Sequence, residues 1–585
     1  MHLQSPYLHE WLWAQADRRP EAPAVATPQH RLGYGDLAAR VRTLAGHLAA
    51  AGVRPHERVV AALPNTPAAV VASLAIQALG ATAVEVNREW SPEVLGGILE
   101  LVGARQAFAW GRDAPGWGAA CAGRPLARLW VVHGGPLPAR LVEELGGAPA
   151  TLVLEDGRAD PALGESPQPP PPVLGPDHPA LVLYTSGSTG RPRGVVQTFR
   201  NLDANARSIV AYLGLSAEDR ALLVLPLSYC YGRSVLQTHL LVGGSVFLDG
   251  RFAFPRVVLE ALGAEGCTGF AGVPLTFELI RRQVDVSTLS LPRLRYLTQA
   301  GGPMAPTTID WVRAAFPGAP LYVMYGQTEA TARLSYLPPE RAVGKRGSIG
   351  VAVPGVELRV VDEAGRELPR GQVGHLEARG ANVTPGYLDD PEATAAILHD
   401  GWLWTGDLAE QDLDGFLFHR GRAKELLKIG GHRVSPVEIE QVVAAHPDVA
   451  EAAVVGAPDE LKGEVAVAYL VARPGCRPDG AALAAFCHAR MPAHRVPARF
   501  TVVEALPRNG AGKLLRARLQ AEALATAGAA GARPAEQGPV PIAVTAEELT
   551  ERRAAPGSPS RPPPPRPMPP APPPRRAARR RPPPG

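Results

Sequence analysis

Short apolar runs alternate with longer amphipathic stretches along most of the chain. The apolar, β-prone runs predict strands, and the stretches between them, in which apolar residues recur every three or four positions, predict helices. The predicted strands are Ala83–Val86, Leu181–Tyr184, Leu222–Leu225, Ser245–Leu248, Arg295–Leu297 and Leu321–Met324. Helices between them, as at Pro92–Leu101 and Thr307–Ala315, imply crossover connections, so the pattern predicts an α/β fold with a mainly parallel sheet.

A loop rich in glycine and hydroxyl groups follows one of these strands. Residues 181–194 read LVLYTSGSTGRPRG, an apolar run that ends in a loop with three glycines, four hydroxyl side chains and two arginines. Glycine lets the backbone approach an anion closely, while hydroxyls donate hydrogen bonds and arginines add positive charge. The loop therefore predicts a nucleotide-phosphate site, although it lacks the G-K-[ST] ending of a Walker A motif.

Three predicted strands end in sequence that suits ligand binding. Tyr184 leads into the phosphate loop, Leu297 leads into TQAGGPM, and Met324 leads into YGQTEAT. Because open α/β sheets bind ligands at the carboxyl ends of their strands, these ends predict a single crevice. In it Tyr325 would stack on a base and Glu329 would hold a metal ion. The alternatives are a core aromatic for Tyr325 and an N-cap or surface carboxylate for Glu329.

Length and cysteine content narrow the class of protein. The 585 residues exceed the size of one compact domain, so we expect at least two. The five cysteines are widely spaced and include no C-x-x-C pair, which argues against a disulfide framework or a zinc site. The start has no basic region followed by an apolar core, and the most apolar stretch, 67–79, contains polar residues. We therefore expect a cytoplasmic protein without a membrane span.

Proline and arginine dominate the C-terminal segment. Arg552–Gly585 contains nine arginines and no acidic residue, so the net charge of +4 for the whole chain corresponds to −5 for residues 1–551. We expect no nucleic-acid-binding face on this mildly acidic body. Because prolines exclude regular structure and few apolar residues are present, we expect residues 524–585 to be disordered. This tail is either a solvated appendage or a contact for nucleic acid, anionic lipid or a partner.

Four motifs resemble those of one enzyme superfamily. YTSGSTGRPRG, YGQTE, GWLWTGDLAEQDLDGFLFHRGRAKELLKIGGHRVSPVEIE and LPRNGAGK occur in the order and approximate spacing typical of adenylate-forming enzymes, which include acyl-CoA synthetases, peptide-synthetase adenylation domains and luciferases. The resemblance covers about residues 8–523 and excludes the tail. It implies a large N-terminal AMP-binding domain over residues 1–420, a hinge at 421–424 and a small α+β lid at 425–523.

The resemblance implies a role in nucleotide binding for each matching residue. Thr328 would contact the α-phosphate region, and Glu329 would bind Mg²⁺, which offsets charge on the departing pyrophosphate. The carboxylate of Asp407 would accept both ribose hydroxyls. The other implied residues are Thr185, Ser186, Gly187, Ser188, Thr189, Gly190 and Arg193 at the β- and γ-phosphates, Gly301, Gly302, Pro303 and Tyr325 at the adenine, Arg422 at the ribose, and Arg433 near the phosphates.

The implied lid carries the main catalytic residue. Lys513 in NGAGK matches the lysine that such enzymes bring to the reacting carboxylate and α-phosphate, where its charge would offset that of the pentavalent transition state. From the residues alone, the alternative is a solvated lysine in a glycine-rich loop. The resemblance also implies that the lid rotates about Lys424, after which residues 428–433 line the entry of a thiol. Segments 436–446, 449–456, 465–472, 479–490 and 499–505 read helix, strand, strand, helix, strand.

Several positions depart from the family pattern. Arg193 stands where a lysine is usual, which keeps the charge but changes its geometry. Phe199 and Tyr229 stand where many relatives carry histidine, so the acyl region differs from that of common members. No aspartate occupies 228–231, where amino-acid-activating relatives pair one with the substrate ammonium. An α-amino acid substrate is therefore disfavoured.

These observations predict an AMP-forming acid–thiol ligase that uses ATP, Mg²⁺ and coenzyme A. It would convert a carboxylic acid, for which a fatty acid is the candidate, to acyl-AMP and then to acyl-CoA. One alternative is transfer of the acyl group to the phosphopantetheine of a carrier protein. Another, of a different class, is a nucleotide-binding scaffold whose basic tail recruits a partner.

Overall fold

The computed structural model describes residues 5–124, 126–145, 149–166, 169, 171–185, 192–459, 462–508 and 514–530. Among these residues, no helix combines the length and the apolar character needed to cross a bilayer.

Capping signals in the sequence mark the ends of several helices. One helix begins with Pro67 after Thr66, whose side chain accepts a hydrogen bond from the N–H of Ala69. Another ends at Gly214, which adopts the left-handed conformation with a φ of 59°. The helices are α1 Leu8–Arg18, α2 Tyr34–Ala50, α3 Pro67–Ala78, α4 Pro92–Leu101, α5 Ala114–Cys121, α6 Ala139–Glu144, α7 Phe199–Leu213, α8 Cys230–Val242, α9 Pro255–Ala264, α10 Pro274–Gln283, α11 Pro306–Ala315, α12 Pro391–Ala395, α13 Pro436–Ala444, α14 Gly480–His488 and α15 Arg516–Ala530.

The strands form two large sheets and two smaller ones. They are β1 Pro23–Ala26, β2 Arg31–Gly33, β3 Arg58–Ala62, β4 Thr82–Glu85, β5 Gln106–Trp110, β6 Arg128–His133, β7 Ala150–Leu154, β8 Pro179–Thr185, β9 Arg193–Thr198, β10 Arg220–Leu223, β11 Ser245–Leu248, β12 Gly269–Gly272, β13 Tyr296–Gln299, β14 Leu321–Tyr325, β15 Ser335–Leu337, β16 Val351–Ala352, β17 Val356–Val361, β18 Val373–Gly380, β19 Leu398–His399, β20 Trp402–Gln411, β21 Leu417–Arg422, β22 Leu427–Ile429, β23 His432–Val434, β24 Val449–Asp459, β25 Gly463–Ala472 and β26 Arg499–Val502.

Two mainly parallel sheets pack on a shared layer of helices. One has the strand order β16-β15-β14-β13-β12-β10-β11-β1-β2, and the other has the order β7-β6-β5-β3-β4-β8-β9. Antiparallel strands occur only towards the edges of these sheets, where β2, β15, β16 and β9 pair. The largest hydrophobic core contains residues of both sheets and of α1, α2, α3, α7 and α8. This arrangement is the layered α/β architecture that alternating strands and helices predict.

Two smaller sheets complete the described chain. The first has the order β17-β18-β20-β19, with β21 paired to β20, and is antiparallel. The second, in the C-terminal part, has the order β23-β22-β25-β24, with β26 parallel to β25. Helices α13 and α14 pack on one face of this last sheet, and α15 packs on the other.

The predicted fold class is confirmed: the N-terminal part is a large α/β structure, and a smaller domain follows it. Strand Ser245–Leu248 and helix Pro92–Leu101 have the predicted bounds. The tail prediction needs one correction, because α15 continues to Ala530 and residues 524–530 are helical. The segment is rich in alanine, which favours a helix more than any other residue does. Residues 531–585, the rest of the predicted tail, lie outside the described residues.

A buried ion pair joins the two parallel sheets through α8. Glu85, the last residue of β4, is 5% exposed and pairs with Arg233 of α8, which is 3% exposed. The guanidinium also donates to the Ser73 hydroxyl of α3 and to the carbonyl of Leu227, both at 3.2 Å. Because both charges have left water, each depends on the other to offset its desolvation.

Glu85→Ala tests this dependence. We expect the substitution to lower the free energy of unfolding by about 3–5 kcal/mol, because it leaves the Arg233 guanidinium buried and unpaired. The matched control is Glu260→Ala, which breaks a half-exposed pair with Arg256 and should cost no more than about 1 kcal/mol. Urea denaturation measures both; equal losses would contradict the assigned role of the buried pair.

Candidate functional site

Three residues that the sequence predicts to bind nucleotide meet around one carboxylate. Tyr325, at the end of β14, donates a hydrogen bond from its hydroxyl to Oδ2 of Asp407 at 2.6 Å. Asp407 lies in β20 opposite Arg422 in β21, and Nε of Arg422 lies 3.1 Å from Oδ1. The antiparallel hairpin thus brings Arg422 to Asp407, and the end of the parallel strand brings Tyr325.

The carboxylate of Asp407 is ionised although it is only 2% exposed. Burial raises its pKa, but the hydrogen bond with Nε2 of His419, at 3.2 Å, and the charge of Arg422 outweigh burial and lower the pKa below its usual value. Burial and the charge of Asp407 raise the pKa of Tyr325 well above its usual value, so this phenol keeps its proton. The carboxylate of Asp407 is therefore a negative charge that its hydrogen-bond donors hold in place, and its oxygens can accept further hydrogen bonds.

Glu329 lies in a second group of polar side chains. Its Oε1 accepts a hydrogen bond from the hydroxyl of Tyr387 at 2.8 Å, and its backbone carbonyl accepts one from the N–H of Thr384 at 2.8 Å. The guanidinium of Arg193 lies 5.4 Å from the centre of the Tyr387 ring and 3.8 Å from the carboxylate of Asp390. Burial and the charge of Glu329 raise the pKa of Tyr387, so it stays a donor. The hydrogen bond from Tyr387 therefore orients the carboxylate of Glu329 from one side.

The chemistry around Glu329 suits a metal that also binds phosphate. Within the described parts of the chain, no group of three or more His, Cys, Asp or Glu side chains is placed to hold a metal ion. Mg²⁺ usually takes one or two carboxylates and completes its shell with water and substrate phosphates. A single oriented carboxylate therefore fits Mg²⁺ that arrives with a nucleotide.

Thr328 has a rigid backbone and a buried side chain. Its carbonyl accepts a hydrogen bond from Nε2 of Gln197 at 3.1 Å, and the same amide donates to the carbonyl of Thr331 at 3.2 Å. The hydroxyl of Thr328 lies 3.5 Å from Sγ of Cys230, at the start of α8. These contacts fix the loop between Tyr325 and Thr331.

Gly301 sits where a larger residue would collide with its neighbours. Its φ is +87°, and a Cβ there would lie 2.9 Å from the Tyr229 hydroxyl and 3.1 Å from Cγ1 of Val273. The next residue, Gly302, accepts a hydrogen bond at its carbonyl from Nε2 of Gln299 at 2.8 Å. Exposed Pro303 follows directly. The close approach to Tyr229 explains why glycine is needed at 301.

Other predicted site residues are not part of these groups. Arg433 lies in β23, and its Nη1 pairs with the carboxylate of Glu363 at 2.9 Å on the surface. Thr185 ends β8, in register with Arg193 of β9. Ser186, Gly187, Ser188, Thr189, Gly190 and Lys513 lie outside the described residues.

Sequence reasoning missed two side chains of the site, Tyr387 and His419. His419 lies inside a quoted motif, and its position in the hairpin opposite Asp407 gives a usable signal. Tyr387 contacts Glu329 although the two residues are 58 positions apart in the sequence. No local sequence pattern identifies Tyr387 as a site residue.

A small cavity is lined by the sequence neighbours of two residues described above. It has a volume of about 20 Å³, room for about one water molecule. Its walls come from α7, α8 and strands β10, β12, β13 and β14. Tyr231, in its lining, follows Cys230, which contacts Thr328, and Met324 precedes Tyr325. Polar lining residues besides these are Tyr212, Ser234, Thr238, His239, Tyr296, Thr298 and Arg333.

The chain matches the description "AMP-binding enzyme" over residues 12–388 and "AMP-binding enzyme C-terminal domain" over residues 438–513. The chain belongs to the AMP-binding enzyme family. The first match spans both parallel sheets, Tyr325 and Glu329, whereas Asp407 and Arg422 lie between the two matched regions.

Similar proteins of this AMP-binding family are CoA ligases. A feruloyl-CoA synthase of an Amycolatopsis species is 33% identical over 520 residues, which cover 88% of this chain and 99% of that protein. A sulfoacetate–CoA ligase of Cupriavidus necator is 34% identical over 515 residues, 86% of this chain and 96% of its own. The structure of an o-succinylbenzoate CoA synthetase of Bacillus subtilis, in complex with ATP and magnesium ion, matches with a TM-score of 0.73 and 28% identity, covering 87% and 98% of the two chains.

These findings confirm the predicted superfamily and the predicted enzyme class. This AMP-binding enzyme is an acid–thiol ligase of the AMP-forming kind.

Asp407→Asn tests the charge at the centre of the site. At pH 7 we expect a loss of about 1.5–3 kcal/mol in the free energy of unfolding, because the hydrogen bonds to a charged acceptor are weakened. The folded-state pKa of Asp407 is lowered, so its contribution is full above an unfolded-state pKa of about 3.9 and is lost as the pH falls towards the folded-state value. Urea denaturation should therefore show the difference from wild type shrinking below about pH 4.

The control for this measurement is Asp177→Asn, which alters an exposed pair with Arg200. It should change stability little at pH 7. A loss in Asp407→Asn that stays constant as the pH falls would contradict the electrostatic assignment.

Proposed function

We propose that this enzyme activates a carboxylic acid with ATP to form acyl-AMP and then transfers the acyl group to coenzyme A. The observation that carries the proposal is the ionised, buried carboxylate of Asp407, which Tyr325 and Arg422 hold beside the loop that bears Thr328 and Glu329. In the first step an oxygen of the substrate carboxylate attacks the α-phosphorus, and pyrophosphate leaves. In the second step the thiol sulfur attacks the acyl carbon, AMP leaves, and the thiol proton passes to solvent.

Each site residue contacts a different part of the nucleotide. Asp407 accepts the ribose hydroxyls, and Arg422 supports it. Tyr325 stacks on the adenine, which is bordered by the backbone of 301–303. Thr328 donates to the α-phosphate from its fixed loop. The remaining phosphate contacts come from Thr185, Arg193 and the loop 186–190, with Arg433 approaching when the lid moves.

ATP, Mg²⁺ and coenzyme A are the cofactor and co-substrates of the proposed reaction. Glu329 would hold Mg²⁺, which when bound would supply positive charge against that of the departing pyrophosphate. Glu329 is the protein ligand, and the hydroxyl of Tyr387 orients it. The relative described with ATP and magnesium ion supports this choice.

Lys513 supplies positive charge to the forming acyl-AMP. It comes from the lid, which we place at residues 425–523, joined to residues 1–420 by a hinge at 421–424. Lid rotation would then bring residues 428–433 to the thiol. The acceptor is the free thiol of coenzyme A, since the relatives are named as CoA ligases. Transfer of the acyl group to a carrier protein is the alternative second step. A non-catalytic scaffold is not proposed, because the relatives are named as enzymes.

The acid is one without an α-ammonium group. The named relatives act on feruloyl, sulfoacetate and o-succinylbenzoate groups, and none of these three is a fatty acid. The cavity lining includes the hydroxyls of Ser234 and Thr298 and the guanidinium of Arg333, polar groups for which a long alkyl chain would supply no partner. We therefore replace the fatty acid of the sequence analysis with a compact polar or aromatic acid. We place the reaction in the cytoplasm, and the five cysteines, all free thiols, accord with a reducing compartment.

A panel of acids tests the first half-reaction. We expect ATP–pyrophosphate exchange with at least one of short polar, aromatic or alkyl acids when Mg²⁺ is present. Lys513→Ala should lower kcat for exchange by about 100-fold or more, because one preorganised charge at the transition state is lost. Lys462→Ala, at another position in the lid, is the matched control and should keep full exchange. Exchange with no acid in the panel would sink the proposal.

The acceptor is tested separately with the best acid. We expect thioester formation with free coenzyme A at a kcat/KM at least about tenfold above that with a phosphopantetheine-loaded acyl carrier protein, about 1.4 kcal/mol in transition-state binding. The reverse order would assign the carrier protein as acceptor. Mass spectrometry of the thioester products gives the readout.

A further inference from the structure

Arg333 is a buried charge that has no ion-pair partner among the described residues. The residue is 3% exposed, and none of the ion pairs within the described residues includes it. By contrast, every other buried Asp, Glu or Arg side chain in the described ranges has an ion-pair partner. Those side chains are Glu85, Asp156, Asp219, Arg233, Asp249, Glu278, Glu377, Asp407 and Glu440.

The contacts of Arg333 are with uncharged groups. Its guanidinium carbon lies 4.1 Å from the centre of the Tyr231 ring. Nε donates to Sδ of Met324 at 3.3 Å, and Nη1 donates to the carbonyl of Ala332 at 3.3 Å. A thioether and a neutral carbonyl are weak partners for a cation with five N–H donors. Burial of such a cation costs several kcal/mol unless an anion offsets it.

The guanidinium lines the small cavity described above. Tyr231, whose ring lies under the guanidinium, follows Cys230, and Sγ of Cys230 lies 3.5 Å from the hydroxyl of Thr328. Met324, which accepts from Arg333, directly precedes Tyr325. The hydroxyls of Thr298 and Tyr231 bond to one another at 2.8 Å in the same lining. The start of α8 therefore links the guanidinium of Arg333 to Thr328, which the proposed function places at the α-phosphate.

We propose that Arg333 binds a second anionic group, a carboxylate or a sulfonate, on the acid that this enzyme activates. The inference rests on the proposed function and names its substrate class. The planar fork of arginine matches a carboxylate or sulfonate through two parallel hydrogen bonds. The substrate thus supplies the counter-charge that the described residues do not provide. An acid without the second anion leaves the guanidinium unpaired and binds less well for that reason.

Matched pairs of acids test the proposal by direct binding. The dianions are malonate, succinate, glutarate, phthalate and sulfoacetate; the controls are the monoamides of the four dicarboxylates and methylsulfonylacetate, which keep the shape and remove one charge. Calorimetry on the full chain with AMP present should give at least one dianion a Kd tenfold or more below that of its control. No such preference in any pair overturns the proposal, even if some acid supports pyrophosphate exchange.

Substitutions then assign the preference to Arg333. Arg333→Met should remove the preference, because the dianion loses its counter-charge, while Arg333→Lys, which keeps the charge, should keep part of it. Arg256→Met, on the surface, should keep all of it. A preference that survives in Arg333→Met overturns the assignment, and Arg333→Lys gives the decision if the methionine variant does not fold. Failure of exchange with every acid would instead count against the proposed function, because the binding measurement does not require turnover.

Discussion

The removal of charge from water is the constraint on which this structure depends. A buried ion must be offset by an ion of opposite charge. Each buried pair therefore fixes the distance between two elements, which are often far apart in sequence. Glu85 and Arg233 fix the seven-stranded sheet against α8, and Asp407 and Arg422 fix the hairpin β20–β21, which Tyr325 ties to the end of β14. Apolar packing fills the layers, but it is tolerant of small shifts. The paired charges make the position of the nucleotide site specific.

Much of the fold follows from local sequence. The helices and strands of the parallel sheets have periodic apolar patterns and clear end signals, such as Pro67 at a helix start and Gly214 at a helix end. The carboxyl ends of the parallel strands also predict a ligand-binding crevice. Tyr325 and Glu329 are candidates on this ground alone, and their roles stay predictions.

The rest of the site depends on contacts that sequence does not display. Tyr387 orients Glu329 across 58 positions, and only the packing of the chain between β18 and α12 against β9 brings them together. In the sequence, Arg333 resembles an ordinary charged residue in a loop. Its burial, and the lack of an ion-pair partner among the described residues, can be seen only in the folded structure. The helical residues 524–530 escape the sequence-based prediction for a different reason, since the alanines of α15 carry helix propensity that the proline-rich composition of the following segment obscures.

The requirement that a buried charge be paired also bears on which substrate binds. A guanidinium held beside an alkyl chain would remain unpaired in the complex, and the desolvation of that charge would count against binding. An aromatic ring would gain from stacking over the guanidinium but would leave its in-plane donors unused. Only an anion satisfies both the charge and the donors of Arg333. On the proposal that Arg333 binds a second anion, an acid that brings its own second negative charge balances this guanidinium, and a hydrocarbon acid does not.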